Sequence, residues 1–182
     1  MKYPTLLFCH LINIQNSCSH LFFLLLFKSH TMSNLGKTIE ILLVEDNPND
    51  VALIKEAFKS QNLPSQIYVA KDGEQALDFI HKQGAYTTVN TPDLVFLDLN
   101  LPRKSGQEIL KQIKQNEHTR KIPVLILSSS DAPDIVRQCY ELQANAYIKK
   151  PIEYDGFVKV ANIVHKFWVN ITRLPSANND FF

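Results

Sequence analysis

The stretch Asp93-Leu-Val-Phe-Leu-Asp98-Leu-Asn-Leu-Pro102-Arg-Lys-Ser-Gly106 decides how the chain is read. Its apolar run breaks off in a carboxylate, and Pro102 and Gly106 then bend the chain, as where a buried parallel strand hands over to a surface loop. Asp98 is thereby placed at a strand's C-terminal end. In an open α/β sheet that is the edge where ligands collect, because side chains there leave the core while a rigid strand still holds them.

Outward from this stretch the pattern repeats. Residues Ile39 to Val44 form an apolar run that ends in Glu45 and Asp46. Asn47-Pro48-Asn49-Asp50 then reads as a helix start, with Asn47 at the cap, Pro48 at the first helical position and Asp50 at the positive end of the dipole. Val51, Ile54, Ala57 and Phe58 recur at helical spacing. Gln66 to Val69 is a second strand, and Ala76, Leu77, Phe79 and Ile80 mark a second helix; Ile109, Leu110 and Ile113 mark a third. A fourth strand, Pro123 to Leu127, runs into Ser128-Ser129-Ser130. Asp131-Ala-Pro133-Asp134 reads as the cap of a fourth helix with Ile135, Val136, Tyr140 and Leu142 at apolar positions. Ala146 to Ile148 is a fifth strand, followed by Lys149-Lys150-Pro151, and the last helix is expected from about Asp155 to Thr172. Its expected core stripe is Phe157, Val160, Ala161, Val164, Trp168 and Ile171, widened on one side by Ile163 and Phe167.

Successive βα units with continuous apolar strands imply a doubly wound five-stranded parallel sheet covered by helices on both faces. Right-handed crossovers bring the strand ends to one edge, which collects Glu45, Asp46, Asp98, Ser128 and Lys150.

The 182 residues, 45% of them hydrophobic, suffice for one domain with its own core, and 19 Lys+Arg against 18 Asp+Glu leave no electrostatic footprint for nucleic acid. Cys9, Cys18 and Cys139 have no CxxC spacing, so neither a disulfide framework nor a zinc site follows, and the body of the chain reads as cytoplasmic. Residues 1–31 differ in kind, with apolar stretches at Leu6 to Ile14 and Leu21 to Phe27. Both fall short of the ~20 residues of a spanning helix, and no small-residue cleavage site follows. The preferred expectation is a leader at 1–31, artefactual or disordered, with the natural start at Met32; the rival is a weak membrane anchor. Residues 32–174 are expected to form the domain and 175–182 a flexible tail.

Clustered carboxylates repel one another in a half-buried site, and oxygen-only ligands that leave room for water and phosphate suit Mg²⁺. Lys150 is a compact positive charge suited to a phosphoryl oxygen, and the Ser128 hydroxyl is a donor to another. Asp98, between cation and lysine, is the candidate nucleophile toward phosphorus.

These residues in this order resemble the receiver domain of two-component response regulators. The resemblance covers about residues 39–170 and rests on Leu43-Val44-Glu45-Asp46, Leu97-Asp98-Leu-Asn100-Leu-Pro102, Gly106, Ser128 and Lys150-Pro151. It implies the flavodoxin-like receiver fold, with strand order 2-1-3-4-5, and phosphorylation of Asp98 by a sensor histidine kinase in a phosphorelay. It further implies Mg²⁺ held by Asp46, Asp98 and the Asn100 backbone carbonyl with Glu45 assisting, and Lys150 clamping the phosphoryl group. Ser128 and Tyr147 match the family's switch pair, Ser standing where Thr is commoner, and the peptide before Pro151 is expected to be cis. The closing segment from Phe167 to Pro175, together with Leu99-Asn100-Leu101-Pro102 after Asp98, is similar to stand-alone regulators that serve cyanobacterial phytochrome kinases. Such a protein is a signalling switch and not a turnover enzyme. The widened stripe reads equally as a broad core contact and as a partner surface; if it is exposed, a homodimer through the face of fourth helix, fifth strand and fifth helix is its expected use. No stable membrane span is expected.

Plainer readings stand beside these. Glu45 and Ser128 to Ser130 equally read as helix caps, Lys149 and Lys150 as a solvated pair, and Tyr147 as packing. His81, His118 and His165 lack ligand spacing and read as surface residues. The alternative functions are a phosphorylation-independent docking module and an aspartyl-phosphate phosphatase. The latter would want an acid two residues after the nucleophile, where Asn100 stands.

Overall fold

The computed structural model describes residues 38–172 and residue 174. The expectations for the leader at 1–31 and the tail at 175–182 lie outside the described residues. Five strands alternate with helices: β1 (Ile39–Val44), α1 (Pro48–Ser60), β2 (Ser65–Ala70), α2 (Gly73–Ile80), β3 (Leu94–Leu97), α3 (Gly106–Gln115), β4 (Val124–Ser128), α4 (Pro133–Glu141), β5 (Ala146–Lys149) and α5 (Tyr154–Val164). A short 3₁₀ turn (Gly84–Tyr86) precedes β3, and a π-helix (His165–Ile171) continues α5.

The sheet is parallel throughout, in the order β2-β1-β3-β4-β5. Strands β3 and β4 are buried at every position, which is why they read as unbroken apolar runs. Successive side chains alternate between two cores. Leu42, Val44, Val95, Leu97, Val124 and Ile126 face α2, α3 and Cys139 of α4, whereas Ile41, Leu43, Leu94, Phe96, Leu125 and Leu127 face α1 and α5. Register then aligns the strand ends. Val44 lies opposite Leu97, and Ser128 opposite Lys149.

Helix starts follow local chemistry. Asn47 accepts from Asn49 N, Asp72 from Glu74 N and Gln75 N, and Ser105 forms a reciprocal capping box with Glu108. The fourth helix departs from expectation: Ala132 occupies its cap with no side-chain bond, and the Asp131 carboxylate pairs with Lys149 instead. The fully buried residue of α4 is Cys139, a small apolar side chain in practice, while Tyr140 is exposed.

The last helix also differs. Beyond Val164 the backbone widens to i→i+5 bonding, as in Thr172 N donating to Phe167 O at 2.9 Å. The extra residue in each hydrogen-bonded ring shifts the phase of the inward face. Val169, five residues after Val164, is buried, whereas Ile171 is 66% exposed together with Ile163 and Phe167 on the outside. His165 is half-buried, with its Nε2 enclosed and unpartnered, so it is not the surface histidine expected.

Candidate functional site

The site stands at the C-terminal edge of β1, β3, β4 and β5. Asp98 follows β3, and its N–H donates to Val44 O at 3.0 Å, so the strand ladder continues into the residue that carries the carboxylate. Gly106, first residue of α3, closes the loop that follows by donating from its N–H to Leu99 O at 2.9 Å. A Cβ at Gly106 would stand 2.2 Å from Asp98 O and 2.7 Å from Leu99 Cα, so only glycine allows this approach.

Four side chains meet there. The Lys150 ammonium donates to Glu45 Oε2 at 2.7 Å, Asp98 Oδ2 at 2.8 Å and Asp50 Oδ2 at 3.0 Å. Glu45 Oε1 accepts from Asn47 N at 3.1 Å and Asp98 Oδ1 from Asn100 N at 3.1 Å. Glu45 and Asp98 are buried, Asp46 is exposed beside them, and each offers a carboxylate oxygen within 4.8 Å of the others. The Lys150 side chain is only 11% exposed, which rules out a solvated pair with Lys149.

Burial pushes the Glu45 carboxyl above its ordinary value, with the Lys150 bond and charge opposing. For Lys150, burial alone would lower the ammonium, but hydrogen bonds to Asp98, Glu45 and Asp50 outweigh it and hold the group above the usual lysine range. The lysine is a fixed positive charge in a nest of acids.

Ser128 and Tyr147 lie at the next strand ends. Ser128 is fully buried at the end of β4, and its Oγ accepts from Ser130 N at 3.3 Å, while the Tyr147 hydroxyl donates to Ser130 O at 2.8 Å. Both side chains are thus tied to one residue of the β4–α4 loop. Burial holds the Tyr147 phenol above its ordinary value. The Lys150–Pro151 peptide corrects one expectation: no described peptide bond is cis. Trans is the lower form of an X–Pro bond by about 0.5–1 kcal/mol, and Lys150 reaches all three acids from it.

Asp50 is the member of the cluster that the sequence reading assigned elsewhere, to the dipole of α1. The available signal was its place in the first turn of a helix that starts directly after the acidic strand end, since helical side chains lean toward the N-terminus. Arg103, which pairs with Asp72 and Glu74 beside this edge, drew no expectation at all.

The family model for the response regulator receiver domain matches residues 41–162. Response regulator Rcp1 of Synechocystis is 38% identical over 137 residues, which cover 75% of this chain and 93% of that protein. Among solved structures, the phosphorylated cyanobacterial phytochrome response regulator RcpA superposes with a TM-score of 0.73 at 36% identity, covering 77% of this chain and 100% of that one. The Mn²⁺-bound form of Rcp1 gives a TM-score of 0.71 at 37% identity over 76% and 99%. With its parallel sheet and its edge of acids around one lysine, this chain belongs to the response regulator receiver family, and its relatives include stand-alone phytochrome response regulators.

Proposed function

We propose that this protein is a stand-alone cytoplasmic response regulator that accepts a phosphoryl group on Asp98 from a sensor histidine kinase of the phytochrome type. The observation that carries the reading is the Lys150 ammonium bonded at once to Glu45, Asp50 and Asp98 at the strand-end edge. The likeness to Rcp1 and RcpA supports the phytochrome link.

The donor set fits a hard divalent cation, because the clustered ligands are all oxygens and Asp46 is open to solvent. Glu45, Asp46, Asp98 and the Asn100 backbone carbonyl would hold Mg²⁺. When bound, it supplies positive charge against the phosphoryl oxygens. An Asp98 oxygen forms the new O–P bond as the P–N bond of the donor phosphohistidine breaks, and the imidazole leaves with the electron pair. Lys150, already 2.8 Å from Asp98 Oδ2, exchanges carboxylate contacts for a phosphoryl oxygen. The Ser128 hydroxyl turns toward another, releasing Ser130 N. That release loosens the residue holding the Tyr147 hydroxyl, which couples the site to the β4–α4 loop as a two-state element. The output is a change of shape and charge read by a partner and not repeated turnover.

The test is phosphotransfer from a purified, autophosphorylated sensor histidine kinase carrying a labelled phosphate. Label moves to the wild type and not to Asp98→Asn. Equal labelling of both excludes Asp98 as the acceptor, and labelling of neither leaves the docking module.

A further inference from the structure

Residues 99–105 join the Asp98 strand end to α3, and their backbone turns sharply. Lys104 N donates at 2.8 Å to Pro102 O, two residues back, across Arg103, whose φ is 70°. An i→i+2 turn with positive φ at its centre is the rarer and more strained form of the γ-turn. A residue with a side chain keeps such a conformation only where its surroundings over-determine it.

The Arg103 guanidinium provides that constraint. Its Nη1 donates to Glu74 Oε2 at 2.7 Å, and its Nη2 donates to Asp72 Oδ2. Asp72 is a rigid anchor: its side chain is 3% exposed, and its other oxygen accepts from Glu74 N at 3.0 Å and Gln75 N at 2.9 Å to cap α2. Close packing accompanies the pair, since a Cβ at Gly73 would stand 3.0 Å from Lys104 Cβ. The loop is closed at its base by Gly106 N bonded to Leu99 O and pinned at its apex by Arg103. Between base and apex lies Asn100, whose N–H reaches Asp98 Oδ1.

We propose that Arg103 is a positioning residue for the Asp98 site: through Asp72 and Glu74 it holds the Leu99–Gly106 loop in the strained turn that sets the Asn100 backbone beside Asp98. The proposal rests on the cation site named above. Arg103 itself touches no reacting atom; it anchors the loop whose backbone completes the oxygen set.

The test is Mn²⁺ binding followed by electron paramagnetic resonance, with urea denaturation in parallel, on the full chain and on Arg103→Ala, Arg103→Gly and Arg103→Lys. Arg103→Ala is expected to weaken Mn²⁺ binding about three- to tenfold, the scale of one ordinary net hydrogen bond, since Arg103 acts on the cation site only through the loop. Arg103→Gly relaxes the strain at positive φ, so it keeps stability near wild type yet binds as weakly as the alanine variant. Arg103→Lys recovers part of the affinity, because a point charge reaches one carboxylate where the fork reaches two. Wild-type affinity in both the alanine and glycine variants, whatever their stability, overturns the role of Arg103 alone. A wild-type chain that binds no Mn²⁺ overturns the cation site and this inference with it.

Discussion

Lys150 Nζ stands 2.8 Å from Asp98 Oδ2 although 52 residues separate the two in sequence. Both side chains are nearly buried, and the same ammonium also serves Glu45 and Asp50. Removing it leaves buried carboxylates without a counter-charge. Lys150→Ala is expected to lower unfolding free energy by about 3 kcal/mol in chelator, and to lose clearly less in millimolar Mg²⁺. Urea titrations with and without Mg²⁺ check this; equal losses in both would show that lysine and cation do not share the same acids.

Gly106 and Gly73 make a matched pair of substitutions. At Gly106 an added Cβ meets backbone at 2.2 Å, whereas at Gly73 the closest atom is the end of a flexible side chain, Ile109 Cδ1 at 2.7 Å. Gly106→Ala should therefore cost upwards of about 3 kcal/mol and impair phosphate acceptance, while Gly73→Ala should cost about 1 kcal/mol. Denaturation midpoints with unchanged slopes measure both.

Lys114 is buried among carbonyls, with Nζ donating to Ile122 O at 2.8 Å, Asn145 Oδ1 at 2.9 Å and Arg120 O at 3.3 Å. Burial lowers its pKa to about 8, below the ~10.4 of an unfolded lysine. Between those values the unfolded chain binds more protons than the folded one, so this group's contribution to stability rises with pH. Cys139, pushed up by burial, acts in the opposite sense, which makes the difference from Lys114→Met the informative quantity. From pH 7 to 10 wild type should gain about 2 kcal/mol on that variant. A flat difference would mean that the carbonyls hold the ammonium charged.

Ile163, Phe167 and Ile171 follow one another at four-residue spacing and are 66%, 47% and 66% exposed. Tyr140 on α4 is exposed as well, so the helices that the sequence reading expected to carry a homodimer present apolar side chains to solvent. Sedimentation velocity of the phosphorylated chain should show a dimer that Phe167→Lys abolishes, with phosphate uptake on Asp98 unchanged. A monomeric phosphorylated wild type would remove the proposed interface.

The parallel sheet was legible because β3 and β4 are buried on both faces and so carry unbroken apolar runs ending in Asp98 and Ser128, whereas its strand order came from the resemblance to receiver domains carried by Glu45-Asp46, Asp98 and Lys150-Pro151. Placing Glu45, Asp46, Asp98 and Lys150 together needed only the right-handed crossover, and the structure does bring them to one edge. What escaped depends on local geometry or long reach. Ile171 was expected inside and Val169 was not, because the period of a π-helix is invisible in a pattern read at 3.6 residues per turn. Asp50 looked like a dipole partner until the ammonium arrived from 100 residues away. Asp131 has the chemistry of a cap but spends it on Lys149, and Arg103 has no signature beyond its place two residues after Leu101.

Whether Asp98 accepts phosphate is decided by intact mass spectrometry of the chain after incubation with a small phosphodonor. A single phosphate adduct that requires Mg²⁺, forms on wild type and is absent from Asp98→Asn is the predicted result. An adduct of equal yield on Asp98→Asn, or none on wild type at saturating Mg²⁺, would contradict it.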